Sequence, residues 1–197
     1  MAGGFADSPG KRAVRELWDT PFLKHLHESY GVKFRYFGFP GVDMLDVRLW
    51  EPMLEDVIAF ELPDNSADKR ESIRTLRSNL RSLKFPAFAY YGPFEEVLLR
   101  RQDYDGVKYD QKKVITLYNL DFCDEIGSKV STVAGKRKVL RFEALRRLLE
   151  DQHDYVKRGH DPEWFVVLLT VRNQVNAERL RDFLADNLFS ETESFKK

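Results

Sequence analysis

The chain has 197 residues, 43% of them hydrophobic and 32% charged, and its 32 Lys and Arg balance 32 Asp and Glu to a formal net charge of zero. Such a length and mixture fit one soluble domain with a full core, or most of a larger domain, and zero net charge implies no general electrostatic grip on nucleic acid, so that any such role needs a local patch. A single cysteine, Cys123, excludes an internal disulfide and a cysteine-rich zinc site and fits a reducing cytoplasm; no apolar run reaches the length of a membrane span, and the N-terminus lacks an apolar export core.

In chain order, residues 1–10 read as a loose tail rich in Gly, Ala, Ser and Pro, and residues 11–197 as one domain. Residues 11–30 carry helix-spaced apolar positions at Val14, Leu17, Trp18, Phe22 and Leu26; Pro21 kinks or splits this helix and Gly31 closes it. Residues 32–39 are a first strand. Residues 43–54 are a helix whose start, Asp43-Met44-Leu45-Asp46, resembles a capping box. Residues 57–60 are a second strand ending at Glu61. Residues 66–83 are a helix with Ile73, Leu76, Leu80 and Leu83 on one stripe. Residues 85–91 are a third strand stopped by Gly92-Pro93, after which residues 94–100 turn helical. A polar turn around Asp105-Gly106 precedes a fourth strand, 113–118, which runs into Asn119-Leu120-Asp121-Phe122-Cys123. A basic loop, 127–138, leads to a helix over 140–157. Residues 163–171 are a fifth strand, so continuously apolar that burial on both faces is expected. Asn176 caps a last helix carrying Leu180, Phe183, Leu184 and Leu188.

This alternation predicts an α/β fold: a doubly wound, mainly parallel sheet of about five strands with helices on both faces, Rossmann-like. A ligand then sits beyond the carboxyl ends of the strands, where strand order reverses. The residues at those ends are Gly38-Phe39-Pro40-Gly41, Glu61, Tyr91-Gly92-Pro93 and Asn119-Leu120-Asp121-Phe122. Glycine suits the first loop because the turn needs unusual backbone angles and a ligand must approach the main chain. A carboxylate ending the second strand suits a ribose hydroxyl pair.

This set resembles the Rossmann-like class I S-adenosylmethionine-dependent methyltransferases, over roughly residues 11–189. The resemblance implies that Gly38, Phe39, Pro40, Gly41, Glu61, Tyr91 and Gly92 bind S-adenosylmethionine, and that Asn119, Asp121 and Phe122 lie beside the transferred methyl. It departs from the family at Tyr36-Phe37, where an acid is usual, at Pro40, and in the missing paired prolines after Asn119. Five strands stand where the family has seven, so either the chain stops short of the last strands or it diverges. A pyrophosphate would meet Asp43 and Asp46 at the start of the first helix after the glycine loop, which favours the phosphate-free methyl donor over NAD.

The expected activity is methyl transfer to an unidentified acceptor by a cytoplasmic protein of bacterial style. The alternative is a Rossmann-like module that has lost catalysis and serves a larger assembly, with a protein partner or a second copy. Candidate nucleic-acid contacts are Arg70, Arg74, Arg77 and Arg81, a helical stripe, and Lys136, Arg137 and Lys138 in the basic loop. Tyr90, Tyr91, Tyr118 and Phe122 are candidates for stacking on a base, with a core role as the plainer alternative. His25, His27, His153 and His160 lack metal-ligand spacing, and Cys123 reads as a small buried apolar residue.

Overall fold

The computed structural model describes residues 8–64, 68–111, 113–122, 130–131, 137–138, 141–160 and 164–170. The strands are β1 (Phe34–Gly38), β2 (Leu54–Glu61), β3 (Ala87–Tyr91), β4 (Leu117–Asp121), the two-residue β5 (Val130–Ser131) and β6 (Arg137–Lys138), and β7 (Val166–Thr170). Five of them form one sheet in the order β3-β2-β1-β4-β7, and every pairing in it is parallel. The strands β5 and β6 pair with each other as an antiparallel ribbon. Helices are α1 (Pro9–Val14), α2 (Thr20–Tyr30), α3 (Leu45–Trp50), α4 (Glu71–Leu80), α5 (Phe94–Arg100) and α6 (Arg141–Lys157).

The period-two alternation of the strands sorts their side chains into two cores. On one face Phe34, Tyr36, Val57, Ala59, Ala89 and Leu117 pack with Leu23 of α2, Val47 and Trp50 of α3, and Ile73, Leu76 and Leu80 of α4. On the other, Phe37, Phe60, Tyr90, Tyr118 and Leu120 pack with Phe94, Val97 and Leu98 of α5 and Ala144, Leu145 and Leu148 of α6. The chain winds outward from β1 to β3, then returns to the other side of β1 for β4 and β7. Same-handed crossovers in opposite directions put their helices on opposite faces. The result is a Rossmann-like α/β sheet whose order reverses between β1 and β4.

Several local expectations are corrected. The first helix is continuous from Pro9 to Tyr30 but carries a π-helical turn at Arg15–Asp19, directly before Pro21, whose missing N–H cannot join the regular ladder. Helix α3 has only 6 residues, because Pro52 opens a 3₁₀ turn at Glu51–Met53 and Leu54 already belongs to β2. No capping box forms: Met44, at φ 50, provides no side-chain cap, and Asp46 turns inward instead. Strand β4 begins at Leu117 and includes Asn119 and Asp121, which were expected to follow it. Among the described residues β7 is one of the sheet's two edge strands and is only partly covered, Val167 being 42% exposed, so its apolar run does not reflect burial on both faces. The expected last helix from Asn176, Cys123 and Lys136 lie outside the described residues. Among the described residues no helix is long and apolar enough to cross a membrane.

Candidate functional site

A cavity of about 590 Å³ opens at the carboxyl ends of the strands, where the order reverses. It gathers Phe39, Pro40, Gly41, Glu61, Gly92, Asn119, Asp121 and Phe122, eight of the residues singled out in the sequence. Its two sides differ because adjacent strand residues belong to opposite faces. The side over α3 is polar, and the side over α5 is aromatic.

The polar side is built on Asp46. Tyr36 OH donates to Asp46 Oδ2 at 2.7 Å, Asn119 Nδ2 donates to the same oxygen at 2.5 Å, and the Val47 N–H donates to Oδ1 at 2.8 Å. Asn119 Nδ2 also reaches Tyr36 OH at 3.3 Å. Burial raises the Asp46 carboxyl above its ordinary value, against these three donors, which favour the ionised form. The Tyr36 hydroxyl is pushed well above 10 by burial and then by the Asp46 charge. Asp19, on the π turn, is raised by burial and by Asp46, with Arg15 opposing.

At the end of β2, Glu61 is pushed up from 4.5 to about 7, first by burial and then by Asp64, with the Leu62 N–H opposing. Its own carbonyl accepts from the Gly92 N–H at 2.9 Å, which ties the β2 and β3 ends together. Gly92 sits at φ 126, and a Cβ there would meet the Tyr104 ring at 3.1 Å. Gly41, at φ 64, turns the chain from β1 towards α3.

The aromatic side comprises Phe39, Phe60, Phe94 and Phe122, with Phe39 at 5.4 Å from both Phe94 and Phe122 between ring centroids. Arg141, at the start of α6, lies with its guanidinium carbon 4.1 Å from the Phe122 ring centre. The same guanidinium donates through Nε to Glu95 Oε1 at 2.8 Å, and both side chains are buried. From the N-terminal helix, Lys11 Nζ meets Asp121 Oδ2 at 2.6 Å.

Gly38 and Tyr91 are not among the residues lining this cavity. A Cβ on Gly38 would lie 2.2 Å from the Asn119 carbonyl oxygen, so this glycine lets β1 and β4 close on each other. Tyr91 donates its hydroxyl to the Lys69 carbonyl at 2.8 Å, while Tyr90 and Tyr118 belong to the core over α5. The arginine stripe is engaged within the chain: Arg70 pairs with Asp105, Arg74 with Asp68, and Arg77 with both Asp103 and Asp105. Arg81 is exposed at the end of α4. In the basic loop, Arg137 and Lys138 form β6.

Lys11, Asp19, Glu95 and Arg141 were not read from the sequence as site residues, and Asp46 was read only as a helix-start acid that disfavours a pyrophosphate. One signal was present for Glu95, a charge beside Phe94, Val97 and Leu98 on a helix that covers the sheet. Among the described residues no group of three or more His, Cys, Asp or Glu is placed to hold a metal ion. No protein-family model, curated protein or solved structure matches the chain.

Proposed function

We propose that this cavity binds S-adenosylmethionine and that the chain transfers its methyl group to an acceptor. The observation that carries the reading is the convergence, at the sheet's switch point, of the Gly41 turn, Glu61 and the Asn119–Phe122 segment. The acceptor set fits such a ligand. Asp19, Asp46, Glu61 and Asp121 line one cavity and suit positive groups and ribose hydroxyls. A pyrophosphate finds less: α3 has 6 residues and starts from Met44 at φ 50, so it offers no regular helix N-terminus.

Under this reading Gly41 and Glu61 hold the nucleoside, and the aromatic side receives flat groups. When bound, the ligand supplies an electrophilic methyl on a sulfonium. The chain's part is positioning, which accounts for much of the rate in a direct transfer. Asn119 is fixed through its amide nitrogen by Asp46, which orients its amide oxygen to accept from a nucleophile. Asp121 places a carboxylate at the same strand end, and Phe122 packs beside it.

Titration calorimetry with S-adenosylmethionine, its demethylated product and NAD tests the reading. Binding of the first two and not of NAD is expected, with Glu61→Ala weakening the methyl donor by about 1–3 kcal/mol. Absence of binding by the unmutated protein would sink the enzyme reading. The second reading, an interaction module without catalysis, would then take its place; it is favoured by the Lys11–Asp121 pair, which already engages the candidate carboxylate.

A further inference from the structure

We propose that α1 is an autoinhibitory latch: Lys11 holds Asp121 in place of the positive group of an incoming ligand, which must displace it to load the cavity. The inference rests on the methyl-donor reading for the ligand's identity, though not for the existence of the latch. Three observations carry it.

First, the contact joins two candidate parts of the site. Lys11 Nζ is 2.6 Å from Asp121 Oδ2, both side chains line the cavity, and they are 24% and 25% exposed. The other Asp121 oxygen, Oδ1, is buried and has no hydrogen-bond partner among the described residues. A carboxylate with one oxygen on an ammonium and the other without a donor retains acceptor capacity for a second cationic or N–H group.

Second, the segment bearing Lys11 is weakly seated. Neither α1 nor the π turn after it contains a buried residue. Leu17 and Trp18 are 70% and 73% exposed. Among the described residues the first fully buried side chain is Leu23, and just before it the Thr20 hydroxyl accepts from Trp50 Nε1 at 2.7 Å. Segments with few buried contacts open at low free-energy cost.

Third, the junction is suited to bending. The π turn at Arg15–Asp19 lies between the cavity-lining Lys11 and the anchored α2, and π turns interrupt the regular ladder where a helix can change direction. Gly10, Lys11, Val14, Arg15 and Asp19 all line the cavity, so a swing about this turn opens one wall of it.

Hydrogen exchange and ligand titration on the whole chain test the latch with Lys11→Met, which removes the charge and keeps the apolar stem, and Lys11→Arg, which keeps the charge. In the unliganded protein, amides of residues 9–19 should exchange about two- to fivefold faster in Lys11→Met, the range that a partly exposed ion pair supports, with residues 20–30 unchanged and Lys11→Arg near the unmutated rate. The affinity ratio of S-adenosylmethionine to its uncharged-sulfur product should rise by a similar factor in Lys11→Met, because the competing ammonium is gone. Unchanged exchange in Lys11→Met, or weaker binding of the methyl donor, would overturn the latch. If neither nucleoside binds, the methyl-transfer reading falls, and the latch is decided by exchange alone: acceleration confined to residues 9–19 sustains it, and none removes it.

Discussion

Glu61 gives the most direct physical test of the site, because its protonation can be followed without any ligand. Its carboxyl lies at about 7 in the folded chain against an ordinary 4.5, and burial is the main cause. A raised acid is one whose ionised form is penalised by folding. Below the ordinary value both states hold the proton and no penalty exists. Stability then falls as pH rises from 4.5, and the loss is complete above about 7. At about 1.4 kcal/mol per tenfold, the full penalty is at most about 3.5 kcal/mol. Glu61→Gln imitates the neutral form and escapes it. Urea unfolding at pH 5 and pH 8 should therefore show the variant gaining on the parent by about 2–3 kcal/mol between the two pH values, at constant m-value. Titrating groups that do not interact with Glu61 cancel in that difference; Asp64, which does, adds in the same sense. Parallel pH profiles for the two proteins would refute the assignment and leave Glu61 as an ordinary solvated strand end.

The same proton links to the ligand. Ribose hydroxyls donate, so they favour the ionised carboxylate and lower its pKa in the complex. Affinity for the nucleoside should then be weaker at pH 6 than at pH 8, with the change falling below about 7, where the free site holds its proton. A pH-independent affinity would mean that the nucleoside does not touch Glu61.

Two further substitutions probe how the site is held. Gly38→Ala drives a Cβ into the Asn119 carbonyl at 2.2 Å, a backbone atom that cannot step aside, and should cost at least about 2–3 kcal/mol in denaturant unfolding. Arg141→Met leaves Glu95 buried without its cation and should cost about 3–5 kcal/mol, while adding Glu95→Leu should recover much of the loss, as read from thermal melts.

The fold was legible where burial dictates pattern. Ile73, Leu76 and Leu80 recur at helical spacing because one face of α4 meets the sheet, and all three are buried. Phe94–Arg100 has the bounds expected for it because Pro93 precedes it and the apolar pattern fills it. Boundaries moved where proline or a strand end intervened. Pro52 stops α3, and residues 68–70 form a turn before α4 instead of its first turn. The apolar composition of β7 misled because composition reports what a strand can bury, whereas the elements packed over its two faces decide what it does bury, and β7 has no fully buried residue.

The site was legible only in part, for a reason visible in Asp46. In sequence it closes the segment Asp43-Met44-Leu45-Asp46 at a helix start, and capping is the local interaction that such residues usually make. Its actual partners are Tyr36, ten positions earlier, and Asn119, 73 positions later. That choice becomes available only when β1 and β4 are neighbours, and their close approach at this level depends on Gly38, which a Cβ would forbid. The glycine expected to cradle a ligand therefore acts one step earlier. It brings Asn119 to Asp46, and Asp46 holds the Asn119 amide nitrogen at the edge of the cavity that Asn119 lines. Strand-end glycines and acids mark where such a site lies, but the hydrogen bonds that orient it are long-range and follow from strand order.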